Sequence, residues 1–172
     1  MAMVNLPVKI EKEKIMNSYY IYLPLIEYLK IVCDDERIIE INFISKNIEK
    51  TGQINAINNL PTEIKELKSQ LIEYFQSNRK KFQIDFQLSG TDFQQAILTE
   101  TAKIPYGQTV SYKELAERAG LHGAWQATGQ ALKKNKLPII IPCHRVVGSS
   151  GLGGYNGGLK LKKTLLKLEG SY

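Results

Sequence analysis

Cys143 and His144 stand side by side and are the residues of this sequence best equipped for chemistry. A base or cation near a thiol draws off its proton, and the thiolate is the reactive nucleophile. Arg145 adds a fixed positive charge on the other flank. Adjacency in sequence does not place two side chains in contact, so the competing reading is a buried, inert cysteine; Cys33, within Ile31-Val32-Cys33, reads as ordinary core. Glu169 is the third residue of interest. A carboxylate in the last turn of a helix opposes the macrodipole at a cost of about a few tenths of a kcal/mol, so Glu169 either points to water or is held by a partner such as His144. Held that way, it would complete a relay of nucleophile, base and orienting acid. A closed zinc site would need Cys33, His122, Cys143 and His144 together without the usual paired spacings, so no metal is expected. No cofactor is expected either. The glycine-rich stretch 148–158 lacks both Gly-Lys-Ser/Thr and a strand-to-helix G-x-G-x-x-G.

The elements that must position these residues fall into two halves. Residues 1–89 read as a small α/β domain with a linker. Residues 19–32 are aromatic and β-branched, broken by Pro24, and residues 37–45 alternate with Ile39, Ile41 and Phe43 on one face and Glu40 and Asn42 on the other. Residues 52–60 read as an Asn-rich loop. Pro61 opens a helix in which Ile64, Leu67, Leu71 and Tyr74 recur at three- and four-residue steps, stopping near Asn78. Phe82, Ile84 and Phe86 alternate as a short strand would. The half carries no chemical motif and is expected to act as scaffold.

Residues 90–172 read as mainly helical. Thr91 with Gln94, and Ser111 with Glu114, have capping-box spacing. Gly120 ends the second of these helices and another is expected from about Gly123 to Lys134. Two short helices around a glycine turn fit a helix-turn-helix or a plain αα-hairpin. The apolar run 138–142, bounded by prolines, reads as a buried strand or extended arm. Six glycines in residues 148–158 would let backbone approach a ligand closely, and a last helix, 159–168, ends near Gly170.

Composition sets outer limits. The chain has 172 residues, 43% hydrophobic and 23% charged, an ordinary globular balance that argues against disorder or a fibre. No run reaches the roughly 18 apolar residues of a membrane span. Charged residues at positions 9–14 occupy the place of a signal peptide's apolar region, and with two cysteines this suggests a reducing cytosol and no disulfide. The formal net charge of +6 falls wholly in residues 90–172. A basic half suggests a polyanionic partner, nucleic acid before membrane.

From Pro142-Cys143-His144-Arg145-Val146 the sequence resembles the O6-alkylguanine-DNA alkyltransferases. The match covers residues 90–172 and includes Ile104-Pro105-Tyr106-Gly107, Ser111-Tyr112, Asn135, Gly154-Tyr155-Asn156-Gly157-Gly158 and the segment Leu165-Leu166-Lys167-Leu168-Glu169-Gly170; residues 1–89 match only in size and α/β character. The resemblance implies a single-use repair protein for double-stranded DNA containing O6-alkylguanine, with O4-alkylthymine as a further lesion. A protein used once has no obvious need of symmetry, so a monomer is expected, with neither cofactor nor membrane as partner. Its helix-turn-helix would sit in the minor groove and the damaged base would be flipped out of the stack. Cys143 would take the alkyl group. His144 would deprotonate it through a water, and Glu169 would orient the imidazole. Tyr112 would supply a proton or hydrogen bond to the departing guanine, and Asn135 would brace the turn. Tyr155 and Asn156 would line the pocket, the carbonyls of Cys143 and Val146 would read the exocyclic amine, and Arg145 would pair within the fold. DNA contacts would come from Ser111, Trp125, Gln126 and Ala127.

Three positions depart from the family pattern. Gln126 stands where an arginine usually enters the stack, Trp125 replaces a small residue, and Lys136 replaces a proline. Weaker stabilisation of the extruded base is expected from Gln126. Trp125 either wedges into the stack or packs into the core, the latter being the favoured reading. Two other functions compete: a non-catalytic damage sensor or helix-turn-helix regulator, and a Cys-His hydrolase, for which no oxyanion signature is seen.

Overall fold

A computed structural model describes residues 16–34, 37–44 and 60–172. The sequence readings on residues 9–14 and 52–59 lie outside them. Three strands, β1 (Met16–Leu23), β2 (Glu27–Asp34) and β3 (Arg37–Ile44), form an antiparallel sheet in chain order. Pro24 sits in the β1–β2 turn, where its fixed φ suits a reversal. The pairing shifts register between Val32 and Cys33, which face Glu40 and Ile38, so Ile39 is an extra residue bulged out of β3. A bulge reverses the facing of the residues on its far side. Ile38 and Ile41 are therefore the buried residues, rather than Ile39 and Ile41 as strict alternation would have it.

Helix α1 (Thr62–Phe75) buries Ile64, Leu67, Leu71 and Tyr74, the stripe its spacing predicted. Residues 82–88 then run extended beside β3. Ile38 donates to the Asp85 carbonyl and accepts from Gln87 N–H, which makes an isolated bridge at Phe86 in place of the expected strand.

In the second half, α2 (Asp92–Ala102) begins with the full reciprocal box between Thr91 and Gln94. Ser111 caps α3 (Tyr112–Arg118) by accepting from the Glu114 N–H at 3.1 Å. After Gly120 and Gly123, both at positive φ, α4 (Trp125–Lys133) packs on α2 and α3. Two short strands, β4 (Val110–Ser111) and β5 (Val146–Val147), pair in parallel, and α5 (Gly158–Leu168) closes the fold. Gly170 at φ 73° lets Ser171 N–H return to the Leu166 carbonyl and finish this helix.

The apolar run 137–142 is buried but is not a strand. Ile141 N–H returns to the Leu137 carbonyl at 2.8 Å, and Ile139 adopts φ 76°. One continuous cluster of buried apolar side chains runs from Ile21 in β1 to Leu165 in α5. No helix among the described residues is long and apolar enough to cross a membrane.

Candidate active site

The thiol is carried on a single 3-10 turn, Cys143–Arg145, whose three side chains are all buried. Asn135, just after α4, determines where that turn lies. Its Oδ1 accepts from Leu137 N–H at 3.0 Å, and its Nδ2 donates to the Ile141 carbonyl at 3.0 Å and to Cys143 Sγ at 3.1 Å. One amide thus folds the 137–141 turn and aims a donor at the sulfur. A donor favours the thiolate over the thiol.

Burial nevertheless dominates at Cys143. It raises the thiol pKa above the ordinary value, and Asn135 and the nearby charge of Lys162 offset this only in part. The resting residue is a protonated thiol, so attack requires a base.

His144 is fully buried next to it. Its Nε2 lies 2.9 Å from Glu169 Oε1. Burial would raise the Glu169 carboxyl, but the hydrogen bonds and charges of His144 and Arg145 outweigh it and hold its pKa at about 2. An ionised carboxylate only accepts. Nε2 therefore carries the proton, and the lone pair of the neutral ring is on Nδ1. Nδ1 is buried and has no hydrogen-bond partner among the described residues. Burial, opposed by Glu169, leaves the imidazole pKa below its usual 6.5, so the ring is a neutral base at pH 7.

Glu169 is the most heavily engaged group of the site. Oε1 accepts from Tyr74 Oη at 2.6 Å, from His144 Nε2 and from Arg145 Nη2 at 2.9 Å. Oε2 accepts from Arg145 Nε at 2.8 Å and from Gly107 N–H at 3.4 Å. Gly107 has φ 77°, and a Cβ there would come within 3.0 Å of the Glu169 carbonyl, so this approach requires glycine. Arg145 Nη1 also donates to the Ile104 carbonyl at 2.6 Å. The macrodipole penalty of a carboxylate at the end of α5 is thereby met by a guanidinium.

Cys143, Tyr112, Gly129, Leu132, Lys133, Gly154, Tyr155 and Asn156 line one narrow cleft. Tyr112 stands at the start of α3, and a Cβ on Gly153 would come within 2.6 Å of its hydroxyl. The glycine loop thus makes room for a tyrosine ring. Burial raises the Tyr112 pKa against a lowering hydrogen bond from the Gly154 backbone, so the phenol keeps its proton. Tyr155 Oη is buried with no hydrogen-bond partner among the described residues, and burial raises its pKa strongly. Val146 is buried, and its carbonyl already accepts from Lys162 Nζ at 2.6 Å, while the Cys143 carbonyl accepts from Val146 N–H.

A wider cleft of about 620 Å³ lies elsewhere, between residues 80–86, 102–106 and 139–142, with Arg145 at its back. Cys143 does not line it; the narrow cleft is the one the thiol faces.

Two participants were missed in the sequence. Tyr74 comes from the half read as scaffold, yet its hydroxyl binds Glu169 and lies 3.5 Å from His144 Nε2. Its place on the buried stripe of α1 was legible, and a buried phenol must find a partner, but nothing named that partner. Lys162 is one of the lysines that make residues 90–172 basic. It is fully buried, and its ammonium binds the carbonyls of Val146, Leu152 and Gly154. The signal was present, since Lys162, Leu165, Leu166 and Glu169 form one i, i+3, i+4, i+7 stripe. Gln126 and Ala127 are exposed on α4, and Ser111 spends its hydroxyl on the α3 cap. Trp125 is 51% exposed, which overturns the core-packing reading. Lys136 ties the halves together: its carbonyl accepts from Ile41 N–H at 2.7 Å, and its ammonium lies 4.0 Å from Glu40.

The fold and site define a class: a helix-turn-helix unit carrying a buried cysteine, with a histidine and a carboxylate behind it. Comparison with known proteins gives the family. Residues 92–171 match the DNA binding domain of 6-O-methylguanine DNA methyltransferase, and residues 16–88 match its ribonuclease-like domain. A methylated-DNA–protein-cysteine methyltransferase of Metallosphaera sedula is 36% identical over 91% of this chain and 95% of its own length. Another from Mycobacterium leprae is 45% identical over 71% of this chain and 76% of its own. A crystal structure of Mycobacterium tuberculosis OGT in complex with DNA superposes with a TM-score of 0.77 at 34% identity, covering 90% of this chain and 92% of that one. The chain belongs to the O6-methylguanine-DNA methyltransferase family.

Proposed function

We propose that this protein repairs double-stranded DNA by moving the alkyl group of an O6-alkylguanine onto Cys143, once per molecule. The observation that carries this reading is the donor-supported Cys143 sulfur at the floor of a cleft lined by Tyr112 and Tyr155. The alkylated oxygen is out of line for attack inside the stack, so the nucleotide is rotated into the cleft. His144 Nδ1 takes the thiol proton through one bridging water. The sulfur displaces the guanine oxygen at the alkyl carbon, forming S–C as C–O breaks. Tyr112 gives its hydrogen bond to the ring nitrogen on which charge develops, and the histidine proton balances the departing anion. The thioether is not reversed, so the protein is consumed.

Glu169 and Arg145 keep the imidazole in the productive tautomer. Lys162 holds residues 146–154 over the cleft. The exposed lysines of the second half, among them Lys133, Lys134, Lys160 and Lys163, meet phosphates without reading sequence. A protein used once has no need of a symmetric partner, so it acts as a monomer, in a reducing cytosol that keeps the thiol free.

The test is to titrate the protein with duplex DNA carrying radiolabelled O6-methylguanine. Transfer should saturate at one methyl per chain however much DNA is added, and Cys143→Ala should accept none. Tight binding without transfer would instead support a damage sensor.

A further inference from the structure

Trp125 is the only tryptophan of the chain, and its indole is half exposed. It opens α4, the second helix of the helix-turn-helix. Residues four apart share a helix face, so Trp125, Gly129 and Lys133 form one row, and the last two line the Cys143 cleft. The Trp125 backbone thus stands about one helical turn from cleft-lining Gly129, about 6 Å along the axis. Side chains on a helix lean toward its N-terminus, which sends the indole away from the opening and leaves it unobstructed. Its exposed neighbours Gln126 and Ala127 are uncharged, and no acidic residue stands in the first turn of α4.

We infer that Trp125 enters the base stack of duplex DNA, filling the space left by the nucleotide rotated into the Cys143 cleft. The inference rests on the repair reading above. A planar apolar ring one turn from the cleft, on a helix with no acidic residue in its first turn, fits that gap on three counts. It stacks on any base, it excludes water from the unpaired partner base, and it acts as the apolar wedges of other minor-groove proteins do when they kink the duplex. Gln126 has an amide of the right reach to hydrogen-bond a base edge but little stacking surface.

Two measurements test this. Trp125→Ala should slow methyl transfer from duplex DNA at least about tenfold more than transfer from the free base O6-methylguanine, which needs no extrusion. Trp125→Phe should recover most of the loss. In the unmodified protein, tryptophan emission reports this residue alone and should be quenched on saturation with lesion duplex. Equal slowing on duplex and free base would assign Trp125 to the shape of the cleft and overturn the inference, as would an unaltered duplex rate or unquenched emission in the saturated complex. Failure of the repair reading looks different: wild-type protein would take no methyl from either substrate.

Discussion

Arg145 and Glu169 form a two-point ion pair, Nε to Oε2 at 2.8 Å and Nη2 to Oε1 at 2.9 Å, in the interior behind His144. Their partnership explains how a buried carboxylate stays ionised at the end of a helix, and why the adjacent imidazole has a defined tautomer.

Removing one partner of a buried pair strands the other charge, at about 3–5 kcal/mol. Arg145→Met should therefore lower unfolding stability by about that much in urea denaturation, despite its similar size. A loss under about 1 kcal/mol would mean that Tyr74, His144 and Gly107 satisfy Glu169 on their own.

The rate of transfer should reveal the base. His144 has a pKa below 6.5 and Cys143 one above 9.0, so with His144 as the base, the active pair, neutral imidazole and thiol, is the resting form between them. Single-turnover rates should be flat through neutrality and fall only below pH 6.5. A rate that climbs about tenfold per pH unit from 6.5 to 9 would identify free thiolate as the attacking species and remove His144 from the chemistry.

Lys162→Met would leave the carbonyls of Val146, Leu152 and Gly154 without their shared donor. Each buried unsatisfied group costs about 1–3 kcal/mol, although part of the loop can turn to water. We expect a stability loss of about 1–3 kcal/mol and faster proteolysis within residues 148–158. Unchanged cleavage there would show that the loop is held by other means.

Gln126→Arg should speed repair of duplex DNA by supplying the charged side chain this chain lacks at that position. If Trp125 already fills the stack, the gain should be small in the wild-type background and larger in Trp125→Ala, a non-additivity expected of neighbours serving one gap. Presteady-state kinetics on the single and double variants gives this directly, and strictly additive effects would separate the two residues.

Local physics explains what the sequence disclosed. Caps at Thr91 and Ser111 are read from neighbours three residues away, and the helices begin where those caps placed them. A carboxylate opposing a helix dipole leaves Glu169 either to water or to a partner such as His144, and the structure has the partner. The failures were non-local. Ile39 is displaced by a bulge whose cause is the pairing of two strands, and the 137–141 turn is dictated by the Asn135 amide rather than by the prolines at its ends. Tyr74 meets a carboxylate 95 residues away. Periodicity says that such a residue is buried, but not what it meets. Lys162 shows the same limit: its position on the apolar stripe of α5 was readable, but a lysine on that stripe does not name the carbonyls that hold it.

Intact-mass measurement with peptide mapping shows whether Cys143 is the acceptor. After incubation with duplex DNA containing O6-methylguanine, the protein should gain a single methyl group located on Cys143, and Cys143→Ala should gain none. A protein that binds the same duplex and stays unmodified, or carries the methyl on another residue, would contradict the account.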